Sequence, residues 1–230
     1  MFGPHITVNF ERRDRGEGPI AIELGPPADE QKTVTLFSEW FCNNRTRLYM
    51  GRACPMCENT EREWLENQAC DEHSMLWCIF ADDLLIGSVG LGEIDYRHIR
   101  GRYGCMIGRR EYWDRGIGTA AGIAVIEWAF NNIVAGGLNK IHTEVLTENV
   151  RNMRASQKVG FREIGITRQQ YWFQGRWFDA WFGEVLSNYW QQERVQIFQK
   201  AGITELNLYP QTEVEGFEPI RLQHQEEDSS

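Results

Sequence analysis

A predicted strand, a turn containing two glycines and a long predicted helix follow one another between residues 103 and 133. Tyr103–Gly108 is the candidate strand. Gly118–Ile133 is the helix, with Ala121, Val125 and Trp128 on one face. A strand that passes through a tight turn into a helix with an apolar face packs that helix against its own sheet. The segment therefore restricts the chain to folds built from layers of helix and sheet.

The remaining elements follow from hydrophobic periodicity and turn residues. The sequence predicts strands over Ile20–Leu24, Met75–Ala81, Leu85–Ile94, Lys140–Leu146, Arg162–Trp172 and Trp177–Leu186. It predicts further helices over Glu30–Phe41, residues 60–69 and Val150–Lys158, the last of which ends at Gly160. This order indicates a mixed α/β, or α+β, fold in which helices flank one central sheet.

One domain accounts for most of the 230 residues. We expect an irregular leader over residues 1–18, the folded domain over 19–190, and a polar extension over 191–230. The end of the extension, Gln223–Ser230, is expected to be disordered. A chain of this length buries enough surface to hold a core without disulfides or metals.

Charge and hydropathy exclude several classes of protein. The chain has 24 Lys+Arg and 33 Asp+Glu, a net charge of −9, which argues against non-specific nucleic-acid binding and is compatible with a cationic substrate. No apolar run is long enough to predict a transmembrane helix, and no partnership with a membrane is expected. The first residues lack the pattern of a signal peptide, which predicts a cytoplasmic protein with reduced thiols.

Two cysteine-containing pairs have a spacing that resembles a zinc finger: Cys54-x-x-Cys57 and Cys70-x-x-His73. Between them, Thr60 and Glu63 are spaced as a capping box and predict a helix over residues 60–69. Such a helix is about 15 Å long, so it holds the two pairs too far apart to share one ion. The sequence therefore predicts no metal, and a metal-stabilised adaptor remains the weaker alternative.

The turn before the long helix predicts an anion site. Gly116 and Gly118 allow the backbone to approach a ligand closely. A helix N-terminus also presents free N–H groups and a partial positive charge, which suit a pyrophosphate. The spacing matches neither a Walker loop nor a dinucleotide-binding fingerprint.

Three segments resemble the GNAT superfamily of N-acetyltransferases. Residues 112–120, Tyr-Trp-Asp-Arg-Gly-Ile-Gly-Thr-Ala, resemble the family's acetyl-CoA loop. Residues 147–161 resemble its second signature, in which an Asn starts a helix that ends in Lys-x-Gly-Phe. The run Gly175-Arg176-Trp177-x-Asp179 resembles a hairpin of the Rim-type subfamily, which acetylates ribosomal-protein N-termini and other amines. The resemblance covers about residues 20–190.

The resemblance implies a sheet splayed into a V between its fourth and fifth strands, with acetyl-CoA as co-substrate in the opening. Backbone groups at Met106, Ile107 and Gly108 would pair with the pantetheine arm. Amides of the loop would hold the pyrophosphate, at Asp114, Arg115, Gly116, Ile117, Gly118 and Thr119. Asn149 would lie beside the pantetheine arm or the product thiol, and it can also cap its helix. Asn152 is a further candidate for binding the cofactor.

The catalytic groups are less defined by the resemblance. Several branches of the family carry a Tyr, as the acid for the leaving thiolate, where this chain has Ser156. Either Ser156 acts through a water, or solvent protonates the thiolate. Glu93 is the candidate general base, with Asp95 behind it; His98 and His142 are alternatives. The acceptor is expected to be a primary amine: a peptide N-terminus, a polyamine or another small amine.

An aromatic series runs through the last two predicted strands: Tyr171, Trp172, Phe173, Trp177, Phe178, Trp181 and Phe182. It predicts core packing, an acceptor-binding wall or the face of a homodimer. The rival to an N-acetyltransferase is a protein with the same fold that binds acyl-CoA or a partner and has little or no turnover.

Overall fold

The computed structural model describes residues 1–12, 18–50, 56–209 and 220–221, with the backbone alone at residues 44, 45, 48 and 221. The strands are β1 (Ile6–Phe10), β2 (Ile20–Gly25), β3 (Met75–Ala81), β4 (Leu84–Asp95), β5 (Arg100–Ile107), β6 (Lys140–Leu146), β7 (Arg162–Phe173), β8 (Arg176–Leu186), β9 (Ile203–Asn207) and β10 (Ile220–Arg221). The helices are α1 (Glu30–Cys42), α2 (Asn44–Tyr49), α3 (Glu58–Cys70), α4 (Ile117–Asn132), α5 (Val150–Val159) and α6 (Ser187–Ala201), with a 3₁₀ turn at Arg110–Tyr112.

The ten strands form one mixed sheet in the order β10-β9-β1-β2-β3-β4-β5-β6-β8-β7. Every neighbouring pair is antiparallel except β5 and β6, which run parallel. Buried side chains from α4 and α6 pack on one face of the sheet, and α1 packs on the other through Phe37, Trp40 and Phe41. The predicted mixed fold with helices flanking one central sheet is confirmed.

Strands β5 and β6 are paired at one end and separate at the other. Their ladder covers only Arg100–Arg102 of β5 and Lys140–His142 of β6. At the next position, the Thr143 hydroxyl donates to the carbonyl oxygen of Tyr103 at 3.2 Å. The rest of both strands has no ladder between them, so the sheet opens into the predicted V. The opening lies between the fifth and sixth strands of this chain because β1 adds a strand before the first one expected.

Helix α4 forms the centre of the core. Thirteen of its sixteen residues are buried, so it is enclosed on all sides rather than on one face. The one charged residue among them is Glu127, whose side chain lies between α4 and α6. Its carboxylate accepts a hydrogen bond from Trp190 Nε1 at 2.6 Å and forms an ion pair with Arg194.

Two expectations about the ends of the chain are wrong. The leader is not irregular, because Ile6–Phe10 is a strand whose residues Ile6, Val8 and Phe10 are fully buried. The polar extension does not lie outside the folded domain, because it contributes β9, which pairs with β1 in the central sheet. β1 and β9 are strands of only five residues, so each gives a weak periodic signal. They pair with each other although they lie about 200 residues apart in sequence, so local patterns do not reveal the pairing.

The start of α3 also differs from the expectation. The helix begins at Glu58, and its N-cap is Cys57 rather than Thr60, so Thr60 and Glu63 do not form the predicted capping box. Cys57 Sγ lies 3.2 Å from the Thr60 hydroxyl. α3 is nevertheless a continuous helix between Cys57 and Cys70.

Candidate functional site

A cavity of about 690 Å³ lies where β5 and β6 separate, bounded by the loop before α4 and by α5. Most of the sequence-predicted site residues line it: Met106, Ile107, Asp114, Gly116, Ile117, Gly118, Thr119, Asn149, Asn152 and Ser156. Gly108, Arg115 and Glu93 are not among the lining residues. The structure therefore brings together the residues of two separate sequence motifs in one opening.

The loop before α4 takes a conformation that exposes the start of the helix. Asp114 has φ of +61° and Gly116 has φ of +84°, and Gly116 is the N-cap, without a side-chain capping bond. The Thr119 amide donates to the Gly116 carbonyl oxygen at 3.0 Å, so it is engaged within the first turn. The amides of Ile117 and Gly118 precede the first intrahelical donors, and they point, with the positive end of the helix dipole, to a site for an anion.

The backbone of β5 does not present all three of the expected pantetheine contacts. The Gly108 amide donates to the Ile86 carbonyl oxygen at 2.9 Å, so it faces β4. Because backbone groups alternate along a strand, Met106 also faces β4, while Ile107 faces the opening. A Cβ at Gly108 would lie 1.9 Å from the Trp40 ring, so this glycine serves packing. Contrary to the expectation, Met106 and Gly108 therefore do not present their backbone groups to the opening, whereas Ile107 does.

Trp113 contacts that same position. Its indole Nε1 donates to the Ile107 carbonyl oxygen at 2.7 Å. This bond ties the loop to the end of β5 and fixes the loop's distance from the strand. Above the indole ring lies the Arg151 guanidinium, 4.8 Å from the ring centroid. The Arg115 guanidinium instead lies over Tyr112, at 5.3 Å, which explains why Arg115 does not reach the cavity.

The cavity is more basic than the chain as a whole. Four cationic and two acidic side chains line it, a balance of 4 − 2 = +2, against −9 for the protein: Arg12, Arg151, Arg154, Lys158, Asp114 and Glu148. Arg151 Nε pairs with Asp114 Oδ1 at 3.2 Å. A positive lining beside a helix N-terminus attracts an anion, most simply a phosphate group.

Helix α5 contributes one capping and one buried polar side chain. Asn149 Oδ1 accepts from the Asn152 amide at 3.2 Å, so Asn149 is the N-cap of α5 while it also lines the cavity. Ser156 is 1% exposed, and its hydroxyl has no hydrogen-bond partner among the residues that the structure describes. A buried hydroxyl without a partner is costly. Its place in the cavity wall indicates that a ligand completes its hydrogen bonding.

Tyr103 and Cys105 form the inner wall beside Ser156. Burial raises the pKa of the Cys105 thiol to about 11 and raises the pKa of the Tyr103 phenol well above its ordinary value. Both side chains therefore stay protonated and neutral at physiological pH. They give this end of the cavity a neutral surface, in contrast to the basic end at the loop.

Glu93 lies on a β-bulge of β4 and has φ of +51°. Its Oε1 pairs with Arg102 Nε at 2.7 Å, and its side chain is 63% exposed. Arg102 in turn is paired with His142 across the parallel ladder, where the sheet begins to open. Burial lowers the pKa of His142. The expected base and one expected alternative thus meet at the apex of the V, outside the cavity.

Sequence reasoning missed Glu144, and it named Tyr171 only as a member of the aromatic series. Both residues lie close to this group. Glu144 Oε1 is buried and accepts from no donor within the described chain. Burial, then a hydrogen bond from Tyr171 to Glu144, raises the pKa of the Tyr171 phenol. The alternation of β6, in which His142 and Glu144 share a face, was the available signal.

The aromatic series divides between core and surface. Phe173 and Phe178 stack at 4.0 Å and are buried, as is Trp181. Trp172 and Trp177 are 58% and 52% exposed and contact each other, with ring centroids 5.1 Å apart.

Neither a metal cluster nor a membrane-spanning helix is present in the described parts of the chain. No group of three or more His, Cys, Asp or Glu is arranged to hold an ion within the described ranges. Cys54, one member of the predicted zinc-like pairs, lies outside them. No helix of the described residues is long and apolar enough to cross a membrane.

A mixed sheet that opens beside a glycine loop and a helix N-terminus defines the class of GNAT-fold proteins. Residues 22–162 match the family model described as the acetyltransferase (GNAT) domain. The chain belongs to this family.

Two curated relatives, both from Bacillus subtilis (strain 168), match a shorter stretch. The uncharacterized N-acetyltransferase YoaA is 30% identical over 96 residues, which are 42% of this chain and 52% of the relative. The probable N-acetyltransferase YjcK is 30% identical over 99 residues, or 43% of this chain and 53% of the relative. The chain spans about half the length of these relatives.

A solved structure has the same fold at lower identity. It is spermidine N-acetyltransferase from Vibrio cholerae in complex with CoA and spermine, with a TM-score of 0.66 and 20% identity. The match covers 74% of this chain and 98% of that chain.

Proposed function

We propose that the protein is an acetyl-CoA-dependent N-acetyltransferase that moves the acetyl group to a primary amine by direct attack in a ternary complex. The observation that carries the proposal is the single cavity that joins the glycine loop, the opened edge of β5 and α5. Its basic end suits the pyrophosphate, and its neutral end suits the thioester. The structural neighbour with bound CoA and the family match support this assignment.

In the reaction, the neutral amine nitrogen attacks the thioester carbonyl carbon, and the bond between carbon and sulfur breaks. The amine loses one proton, and the CoA thiolate gains one. Ser156 is the proposed donor to the sulfur, directly or through a water, because its buried hydroxyl lines the cavity. Most of the rate enhancement comes from holding the amine and the thioester in line.

The acceptor is proposed to be a cationic amine, bound where Glu93, His142 and Glu144 surround the apex of the V. An amine with a pKa near 10 must lose a proton before it attacks, so it needs a base. Glu93 is the proposed base, directly or through one water. The spermine bound in the structural neighbour supports a polyamine as one candidate, and a peptide N-terminus of the Rim-type reaction is another.

The cofactor assignment is tested with Gly116→Glu. The new carboxylate would lie beside the start of α4, where the pyrophosphate is proposed, and should reduce acetyl-CoA affinity at least tenfold. The charge-matched control is Gly18→Glu, because Gly18 is exposed and a Cβ there meets nothing within 4 Å. Calorimetry showing equal affinity for a folded Gly116→Glu protein and the control would sink the assignment.

Turnover is tested by thiol release from acetyl-CoA with a panel of primary amines. An enzyme releases CoA only when a suitable amine is present, whereas a binding module binds acetyl-CoA and releases none. Loss of a general base costs about 10²–10⁴-fold in rate. Glu93→Gln should therefore lower kcat at least tenfold and leave acetyl-CoA affinity nearly unchanged. Wild-type turnover with an unchanged pH profile would remove Glu93 and move the role to Glu144, tested by Glu144→Gln.

A homodimer is also proposed, through the edge strand β7 and its hairpin with β8. Trp172 and Trp177 place two large exposed apolar side chains together on this hairpin. Sedimentation of the wild type should give twice the mass of the chain, and Trp172→Lys should give a monomer. A monomeric wild type would end this part of the proposal.

A further inference from the structure

The part of the chain that precedes the family match reaches the cavity. The matched residues begin at 22, whereas β1 covers Ile6–Phe10 and Arg12 lies two residues after its end. β1 lies between β2 and β9, and all three run antiparallel to their neighbours. Residues from both ends of the chain therefore build the border of the sheet next to the glycine loop.

The direction of the chain after β1 is fixed by the C-terminal extension. The Glu11 amide donates to the Gly202 carbonyl oxygen at 2.8 Å. Gly202 has φ of +75°, and a Cβ there would lie 2.0 Å from the Glu11 carbonyl oxygen, so only glycine allows this approach. Phe10 is fully buried at the same end of the strand. Arg12 is thus held by its two preceding residues.

Arg12 extends over the loop that precedes α4. Its Nη1 donates to the Asp114 carbonyl oxygen at 3.3 Å. A Cβ at Gly116 would lie 3.2 Å from Arg12 Cδ and 3.4 Å from its Nη1. The guanidinium therefore lies beside the N-cap of α4, and it lines the cavity. Arg151 holds the side chain of the same Asp114 from α5, so cations from both sides flank the loop.

We propose that Arg12 binds the pyrophosphate of the acyl-CoA cofactor, an inference that rests on the proposed function. A guanidinium has five N–H donors and pairs with phosphate oxygens in a bidentate geometry. The helix N-terminus would supply amides to the pyrophosphate, and Arg12 would supply positive charge beside the N-cap. The C-terminal extension, through β9 and Gly202, would then support β1 and position Arg12 for binding the cofactor. Residues outside the matched domain contribute in this way to the site.

The test uses calorimetry on the full chain with CoA and with 3′-dephospho-CoA. Arg12→Gln should weaken both ligands by the same factor, about tenfold or more, because both carry the pyrophosphate. Arg12→Lys keeps the charge but loses the bidentate pair, so it should lose less. Arg97→Gln is the matched control, because Arg97 is an exposed arginine that does not line the cavity.

Three results overturn the inference: unchanged affinity in a folded Arg12→Gln protein, a loss seen with CoA but absent with 3′-dephospho-CoA, or an equal loss in Arg97→Gln. The second result would assign Arg12 to the 3′-phosphate instead. If Arg12→Gln does not fold, by its thermal unfolding curve, Arg12→Lys decides, because affinities equal to wild type for both ligands would also overturn the proposal. A wild-type protein that binds neither acetyl-CoA nor CoA would instead contradict the proposed function itself.

Discussion

Arg194→Met should destabilise the protein by about 2–3 kcal/mol because it leaves the buried Glu127 carboxylate without its charged partner. Glu127 is 1% exposed in the middle of α4, and its Oε1 contacts the Arg194 guanidinium. Removing one partner of a fully buried pair typically costs about 3–5 kcal/mol. The Arg194 side chain is 36% exposed, so solvent screens part of the interaction and the lower figure applies.

A double-mutant cycle separates this ion pair from simple loss of packing. Glu127→Gln keeps an oxygen that can accept from Trp190 Nε1, so it removes the charge and preserves that hydrogen bond. Arg194→Met should therefore cost less in the Glu127→Gln background, by about 1–2 kcal/mol of coupling. Arg162→Met is the control, because Arg162 of β7 pairs with Glu193 on the same helix α6 but at an exposed site, so its loss should cost about 0–1 kcal/mol.

Urea unfolding of the four proteins and the control gives these free energies directly. In a chain of this size, 2–3 kcal/mol corresponds to a fall in Tm of about 4–12 °C. Equal costs for Arg194→Met and Arg162→Met, or full additivity in the cycle, would refute the assignment of Glu127 as a buried charge that fixes α6 to α4.

Two further predictions concern the cavity and the apex of the V. Gly118→Ala should stabilise the protein by roughly 0.5 kcal/mol or slightly more, because its Cβ meets Cys105 Sγ only at 3.7 Å and alanine favours a helix. It should also weaken acetyl-CoA binding, and a more stable variant with full affinity in calorimetry would contradict the proposed position of the pyrophosphate at the start of α4. Burial lowers the pKa of His142 in the folded protein, so the unfolded chain binds its proton more readily, and stability should fall as the pH drops below about 6.5. His142→Gln should make urea midpoints between pH 7 and pH 5 vary less, and an equally steep dependence would count against this role.

The sequence predicted the elements whose patterns are local. The bounds of Met75–Ala81 and Lys140–Leu146 match β3 and β6, and the glycine turn and its helix lie where expected. The motif residues on the loop and on α5 line one cavity. The resemblance to the family predicted this, whereas the spacing of the two motifs in the sequence does not show how they lie in space. Backbone alternation could have shown that the hydrogen-bonding groups of Met106 and Gly108 point to the opposite side of β5 from those of Ile107. Once one residue of a strand is known to bond to the neighbouring strand, the side on which every other residue bonds follows.

The missed features depend on contacts between distant segments. Arg12 has no motif, and only the pairing of β1 with β2 and β9 brings it to Gly116. In the sequence, Glu144 is an ordinary acidic residue in a strand. Only the folded structure shows that its side chain is buried beside Tyr171, near the point where the sheet separates. Such sites depend on tertiary packing. The sequence shows which residue types are present, but it does not show which of them come into contact.

The pairing of β1 with β9 also has a consequence for synthesis. Residue pairs such as Thr7 with Asn207 are made late, because the chain emerges from the ribosome N-terminus first. Until residues 203–207 have emerged, one edge of β1 has no strand beside it, and contacts this far apart in sequence form slowly. We therefore expect a nascent chain that stops before residue 203 to fold its central sheet yet retain little affinity for CoA. In this molecule, the ability to bind CoA would be acquired only after residues 203–207 have emerged and paired with β1.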